Sequence, residues 1–424
     1  MPDTARHHPR EAPPGAPDAD RIGVGLLLVL GLLSAMAPLA LDLYLPAFPA
    51  MTEDLSAGST AIQATLTAFL VGLTAGHLVF GPLSDRFGRR RPLIAGAVLC
   101  VVAGAVAALA PTAGVLVVAR LVQGLGGAAG MVIGRAVVSD LARGRAAARA
   151  FSLMMIVGGV APVVAPVLGG LLLGPLGWRG LLGIVLALSV AMLAAVLLVV
   201  PESRPAAARS AARSAERDRP ATGGPSATAT GAARSGLGSR AFLAYALTFG
   251  FAFAVMMAYI SASPFVYQTM IGLDAAMYGA AFGTNALALS AVSALSARLA
   301  ATRSVRGLLG AGLLLCMAGC VGTGLLVATG APAGWLALSM LVSVGSIGLV
   351  MGNATALAMA AVPRSGGSAS ALMGALQFGL AAAVTPLVGL GGEHTAAPLA
   401  VVMLVAGALA IGAFALAGRR ATTD

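Results

Sequence analysis

Twelve apolar runs, each close to the length of a bilayer-crossing helix, leave this chain almost no fold except a bundle of membrane-spanning helices. Crossing about 30 Å of hydrocarbon takes roughly 20 helical residues. The runs fall at about 22–49, 60–81, 92–111, 113–139, 150–173, 179–200, 240–264, 276–298, 306–329, 334–361, 367–390 and 396–418. Hydrophobic residues make up 58% of the chain and charged residues 10%, whereas a soluble domain carries roughly 25% charge. The 56 glycines suit helices that approach closely in lipid. The expected fold class is an all-α polytopic membrane protein with twelve transmembrane helices and no sizeable soluble domain.

Charge distribution sets the expected orientation. The net charge is +11 and all 26 basic residues are arginine. They form no stripe interleaved with aromatics, so nucleic acid is not an expected partner. All but Arg120, Arg135 and Arg179 fall in gaps or tails that share one face if the N-terminus is inside. The other face receives Glu53, Asp54, Asp274 and Glu393. By the positive-inside rule both termini are expected in the cytoplasm, in a multi-pass protein of the plasma (cell inner) membrane. Residues 1–21 read as a disordered tail without a secretory cleavage pattern. Residues 201–239, rich in Ala, Arg, Ser, Thr, Gly and Pro, read as a cytoplasmic linker. They divide a six-helix bundle at 22–200 from a second at 240–418, followed by a tail at 419–424. Two such halves suggest parallel repeats, a midplane site between them and access by rocking.

Several groups inside this layout are costly and so point to function. Asp42, in Leu41-Asp42-Leu43-Tyr44-Leu45-Pro46, is the one acid clearly within a run. Arg120 lies about seven residues inside the fourth run, and Asp42 a similar distance inside the outer end of the first. At about 1.5 Å per residue the two share a layer, directly or through water or neighbouring side chains. Arg135 lies near the inner end of its helix, where snorkelling accounts for it. His77 is the histidine placed within a run, and helix packing accounts for it better than titration. Cys100, Cys316 and Cys320 lie in apolar runs without metal-ligand companions and read as small buried hydrophobes. No metal site or cofactor is expected.

The gap after the second run reads Gly81-Pro82-Leu83-Ser84-Asp85-Arg86-Phe87-Gly88-Arg89-Arg90-Arg91. An orientation anchor needs arginines but not Gly, Asp and Gly at this spacing. The stretch resembles the loop 2–3 signature of the major facilitator superfamily. That resemblance implies a charge network of Asp85, Arg86 and Arg89, framed by Gly81 and Gly88, that holds one access state and breaks in the other. Asp140 is its expected extra acid. Arg120-Leu121-Val122-Gln123-Gly124 resembles the superfamily's helix 4 motif, whose arginine is tied to proton coupling. Gly158-Gly159-Val160-Ala161-Pro162-Val163-Val164-Ala165-Pro166-Val167-Leu168-Gly169-Gly170 resembles the antiporter motif of its exporters. Here Ala161 and Ala165 replace glycines of the usual pattern. The motif implies gating roles for Gly158, Pro162, Pro166, Gly169 and Gly170.

Three stretches narrow the resemblance to the Bcr/CflA drug-resistance group. They are Asp42-Leu43-Tyr44-Leu45-Pro46-Ala47-Phe48-Pro49, Ile260-Ser261-Ala262-Ser263-Pro264-Phe265-Val266 and Ala369-Ser370-Ala371-Leu372-Met373-Gly374-Ala375-Leu376-Gln377. Membership implies a monomeric antiporter, driven by the proton gradient, that exports amphipathic drug-like molecules by alternating access. Asp42 and Arg120 would serve proton coupling and substrate response. Tyr44, Gln123, Met131, Tyr259, Tyr267, Asn285, Asn353 and Gln377 are the cavity candidates, mixing soft apolar contact with uncharged hydrogen bonding. Some relatives carry a second acid deeper in helix 1, where this chain has Ser34. With no GxxxxGK[ST] loop and no HExxH, an enzyme is not expected. An exporter of one metabolite (sugar, amino acid or peptide-like compound) is the alternative within transport. An uptake symporter, or a sensor or channel, fits the motifs less well.

Overall fold

The computed structural model describes residues 23–142, 144–203, 238–362 and 366–418. The tails at 1–21 and 419–424, most of the linker at 201–239, and Arg143 and Arg364 lie outside the described residues. Among the described residues eleven helices are long and apolar enough to cross a membrane. One of them is two spans joined at a kink, at Gly177. We number the spans α1 (Val24–Asp42), α2 (Ser59–Phe87), α3 (Arg90–Ala108), α4 (Ala113–Leu141), α5 and α6 (the limbs of Gly144–Val199 before and after Gly177), α7 (Arg240–Pro264), α8 (Ala275–Leu299), α9 (Val305–Ala328), α10 (Gly334–Ala360), α11 (Gly366–Val388) and α12 (Ala397–Leu416).

Side-chain caps set four of the helix starts. Thr112, Ser239, Asp274 and Ser304 each accept the N–H three residues on, capping α4, α7, α8 and α9. The first run, expected over 22–49, is not one helix. It stops at Asp42, passes through a 3₁₀ turn at Leu45–Ala47 and resumes as a short helix at Phe48–Asp54. Pro46 is the cause: it has no N–H to give the Asp42 carbonyl, and its ring crowds that carbonyl. Between α5 and α6 the expected loop shrinks to Gly177, whose φ of 65° only glycine adopts without strain. α7 runs on past Pro264 as a π-helical turn, Phe265–Met270.

Glycine seams bring the spans together. A Cβ at Gly72 would meet the Leu121 carbonyl at 2.1 Å, and one at Gly124 the Phe69 carbonyl at 2.1 Å. α2 and α4 therefore touch backbone to backbone, the small-residue packing expected where lipid offers no hydrophobic drive. Gly96 and Gly126 do the same for α3 and α4.

The two six-helix groups meet along α5 with α8 and along α2 with α11. A Cβ at Gly170 would lie 2.2 Å from the Ala275 carbonyl, and one at Gly279 2.5 Å from the Pro166 carbonyl. Thr60 Oγ1 donates to the Gly389 carbonyl at 2.7 Å, and Gln268 Nε2 to the Pro46 carbonyl at 3.0 Å. All these contacts lie toward the end carrying Asp54, Asp274 and Glu393. At mid-depth the His77 and Phe378 rings touch, with centroids 5.2 Å apart. Beyond them, toward the arginine-rich end, the halves separate: a Cβ at Gly158, Gly159 or Gly81 would meet nothing within 4 Å. No hydrogen bond among the described residues joins the halves there. The bundle is closed at its acidic end and open at its arginine-rich end.

The antiporter-like stretch thus has a packed part and a free part. A Cβ at Gly169 would sit 2.0 Å from the Leu43 carbonyl, just past the α1 break. Gly169→Val is expected to lower stability by about 1–3 kcal/mol through overpacking, seen as a lower melting temperature in detergent. Gly158→Ala should leave that temperature unchanged or slightly raised.

Candidate functional site

The site is built where α4 is pressed against α1 and α2. The Gly124 contact with Phe69 brings Arg120, one turn earlier on α4, into the same seam. Arg120 has no exposed surface. Its Nη1 donates to Gln123 Oε1 at 2.6 Å and its Nη2 to the Ala40 carbonyl at 2.6 Å. The guanidinium lies between two rings, 4.2 Å from the Tyr44 centroid and 4.7 Å from that of Phe69. Cation–π attraction reaches about 2 kcal/mol or more where water is excluded. Nε has no partner. Tyr44 is itself buried, and its hydroxyl shares a 3.0 Å hydrogen bond with Thr65 Oγ1.

Asp42 lies two residues past the Ala40 carbonyl, at the end of α1. It is 4% exposed, and makes no hydrogen bond or ion pair with any described residue. Arg120 and Asp42 therefore share a layer without touching: the arginine holds the α1 backbone and leaves the carboxylate free. The Pro46 break then turns the chain away just beyond the carboxylate. Across the interface, Tyr278 of α8 lies within range of the Asp42 charge. Nothing in the local sequence around Tyr278 marks it, because its role depends on the α1–α5–α8 packing.

The second half contributes a polar cluster inside an aromatic wall. Asn285 Nδ2 donates to the Tyr259 hydroxyl at 2.8 Å and to the Tyr267 hydroxyl at 3.1 Å. Its Oδ1 is buried without a partner. Tyr259 stacks on Phe282, with centroids 5.5 Å apart, and the hydroxyls of Tyr278 and Ser263 are 3.0 Å apart. Of the cavity candidates, the structure groups Tyr259, Tyr267 and Asn285 here, and Tyr44 and Gln123 around Arg120. Asn353 stands apart, bonded to Ser296 Oγ at 2.9 Å as a tie between α10 and α8. Met131 and Gln377 are half-buried on α4 and α11. Among the described residues no three His, Cys, Asp or Glu side chains come together as metal ligands.

At the arginine-rich end Arg89 is the hub. It bonds Asp140 at 2.9 Å, Asp85 at 2.8 Å and Ser84 Oγ at 2.8 Å. Burial pulls its guanidinium down, but Asp140 and then Asp85 carry it above its ordinary value. Arg86 points outward over the Phe87 ring, and Gly88 turns the chain with φ 92°. Sequence reasoning missed Glu202, which it left in the linker. Its carboxylate accepts the backbone N–H groups of Arg89 at 2.9 Å and Arg90 at 3.2 Å. It caps α3 across 113 positions of sequence, an anion at a helix N-terminus. Ser203 Oγ also donates to Asp140, at 3.0 Å.

At the opposite end Asp54 accepts from Trp178 Nε1 at 2.9 Å and also pairs with Arg179, which pins the Gly177 kink to the short helix after α1. The Trp178 and then the Arg179 hydrogen bonds hold the Asp54 carboxyl below its usual range. A depressed pKa stabilises above the unfolded value and is lost as pH falls through the folded one. Trp178 fluorescence, read in a Trp335→Phe background, is expected to titrate with a midpoint below the roughly 3.9 of a free aspartate. Arg120→Lys, which keeps the charge but loses the planar two-armed reach, is expected to lower stability by about 1–3 kcal/mol through the unmet Ala40 and Gln123 acceptors. Its thermal denaturation in detergent measures this.

Comparison with known proteins fits this geometry. The model of the Major Facilitator Superfamily matches residues 30–386. The uncharacterized MFS-type transporter YdgK of Bacillus subtilis (strain 168) is 35% identical over 399 residues, covering 92% of this chain and 94% of that protein. The bicyclomycin resistance protein homolog of Haemophilus influenzae is 26% identical over 88% of this chain and 91% of its own length. Multidrug resistance protein D of Escherichia coli (strain K12) is 36% identical over a shorter stretch, 37% of this chain and 40% of that one. Among solved structures, a bacterial homolog of the human lysosomal transporter Spinster, inward-facing and occupied, superposes with a TM-score of 0.70 at 15% identity, covering 92% of this chain and 95% of that one. A D-xylose-proton symporter does so at 0.67 and 16%, covering 91% and 96%. At those identities the structures speak for the fold alone.

Proposed function

The chain belongs to the major facilitator superfamily, a multi-pass membrane transport protein rather than an enzyme, and from that premise we propose that it exports amphipathic drugs and antibiotics in exchange for protons. Relatives named for bicyclomycin and multidrug resistance support the substrate class. The arginine-rich end, by the positive-inside rule, is the cytoplasmic one, with both termini there and the protein in the plasma membrane. The conformation described above is then inward-facing, sealed outside by the α5–α8 and α2–α11 seams.

One observation carries the reading: Asp42 is a buried carboxylate with no ion pair in the layer that joins the two halves. An intramembrane acid left unpaired is costly as a carboxylate and cheap once protonated. Arg120, fixed to the Ala40 carbonyl and two rings, holds α1 in register without neutralising that acid. Proton and drug can then alternate at one place. In the inward-facing state Asp42 gives its proton to the cytoplasm and drug enters against the aromatic wall of Tyr259 and Tyr267, with Asn285 as hydrogen-bonding group. After the halves rock, protonation of Asp42 from outside favours drug release. The Arg89 hub, bonded to Asp85, Asp140 and the Glu202-capped α3, keeps the cytoplasmic ends of the first half together as a rigid body. No cofactor enters the cycle.

In everted membrane vesicles acidified by respiration, wild-type protein is expected to dissipate part of the pH gradient when a chloramphenicol-, bicyclomycin- or sulfonamide-like compound is added. Asp42→Asn should abolish that response while retaining normal abundance. Drug-dependent proton flux through Asp42→Asn at the wild-type rate would remove Asp42 from the mechanism.

A further inference from the structure

We propose that Arg135, on the wall of the opening at the arginine-rich end, is a specificity-determining residue that binds the head group of amphipathic anions, carboxylates or sulfonates, arriving from the cytoplasm. The inference rests on the transport reading above and narrows its substrate class.

α4 carries two arginines, and the structure holds them in opposite ways. Arg120 has no exposed surface, and its guanidinium is taken up by the Ala40 carbonyl, Gln123 and two rings. Arg135 is exposed, and among the described residues its side chain donates no hydrogen bond and pairs with no acid. Asp140, the next acid along α4, is already bonded to Arg89.

Snorkelling into lipid, which its place in the sequence suggests, does not describe this residue. Its neighbours Ile133, Gly134, Val137 and Val138 are buried. A Cβ at Gly134 would lie 3.7 Å from Met154 of α5 and 3.9 Å from Leu33 of α1. Gly127, Met131 and Arg135 follow at four-residue spacing and so share one stripe of the helix. At Gly127 that stripe lies beside Leu73 and Phe69 of α2. Arg135 is crowded by protein yet reached by water, as a group on the wall of an opening between helices must be.

The surroundings of this cation are apolar. Its charge reaches His77 of α2, but His77 Nδ1 already donates to the Leu73 carbonyl at 2.8 Å, so the imidazole offers mainly a ring face. That ring lies against Phe378 of α11, and Phe378 stands edge-on to Phe253 of α7 with centroids 5.8 Å apart. One unpaired cation beside a shelf of rings that spans both halves matches a molecule with one anionic head and an apolar body. The planar guanidinium fork suits the paired oxygens of a carboxylate or sulfonate. At about 1.5 Å per residue, Arg135 lies roughly 22 Å nearer the cytoplasm than Arg120. The anionic head therefore stays clear of Asp42, while the apolar body points toward the aromatic wall at the centre.

The test compares two fluorescent probes with the same ring system, anionic 8-anilinonaphthalene-1-sulfonate and neutral N-phenyl-1-naphthylamine. Each is titrated into full-length protein in phosphatidylcholine nanodiscs, with empty nanodiscs subtracted. Arg135→Gln is expected to weaken binding of the sulfonate roughly tenfold, the effect of losing a hydrogen bond to a charged group, and to leave the neutral probe unchanged. Arg135→Lys, which keeps the charge and loses the fork, should hold the sulfonate within about threefold of wild type. Intact binding of the neutral probe shows that each variant is folded. Unchanged sulfonate affinity in Arg135→Gln, or equal loss of both probes, overturns the assignment. Disappearance of the Arg135-dependent difference when phosphatidylglycerol is added to the nanodiscs would give the site to a lipid head group and overturn the soluble-anion reading. These titrations use no proton gradient, so failure of the proton-exchange reading would show in the vesicle assay and not here.

Discussion

A guanidinium with no exposed surface, in a helix that crosses hydrocarbon, has to be held by something. Here it is held by a backbone carbonyl, an amide and two aromatic faces rather than by an acid. That choice organises the first half. Because Arg120 takes the Ala40 carbonyl, α1 is anchored to α4 two residues before it ends. Because it does not take the Asp42 carboxylate, the one acid of the span stays available. A direct Arg–Asp pair at this depth would have locked both groups, since separating a buried pair typically costs about 3–5 kcal/mol.

The same economy appears in the seams. Where the halves are closed, glycine lets backbones touch: Gly169 lies on the Leu43 carbonyl and Gly170 on the Ala275 carbonyl. Where they are apart, the glycines of the same α5 stretch, Gly158 and Gly159, face nothing. A helix with small residues along both parts can form one tight contact at either end as the halves rock. The prolines between them, Pro162 and Pro166, remove N–H donors that a continuous helix would need. The polar ties across the closed end are single neutral hydrogen bonds, Thr60 to Gly389 and Gln268 to Pro46, each worth about 1 kcal/mol. Bonds of that size let a gate open.

Much of this was legible in the sequence because it is written locally. Run lengths gave the spans, and the Gly81-to-Arg91 stretch with Asp140 gave the arginine-rich hub. Depth counting put Asp42 and Arg120 in one layer. What was hidden depends on through-space arrangement or on one residue overriding a pattern. The apolar run past residue 42 hid the break that Pro46 imposes, and Gly177 replaced an expected loop. Glu202 caps a helix more than a hundred positions away, in a segment whose composition spoke only of a linker. Tyr278 and Gln268 gain their roles from the α7–α8 reversal against the first half, which no periodicity reports. The pairing of Asn353 with Ser296 turned a cavity candidate into a helix tie for the same reason.

The central claim is that one buried, unpaired carboxylate is where proton and drug exclude each other. The direct measurement is the proton count on drug binding: purified protein in weakly buffered detergent solution, titrated with drug while pH is recorded. By linkage, a ligand that favours the charged acid must expel its proton. Binding is expected to release close to one proton per drug in wild type and none in Asp42→Asn. Equal release from both proteins would place the exchanged proton on another group and contradict it.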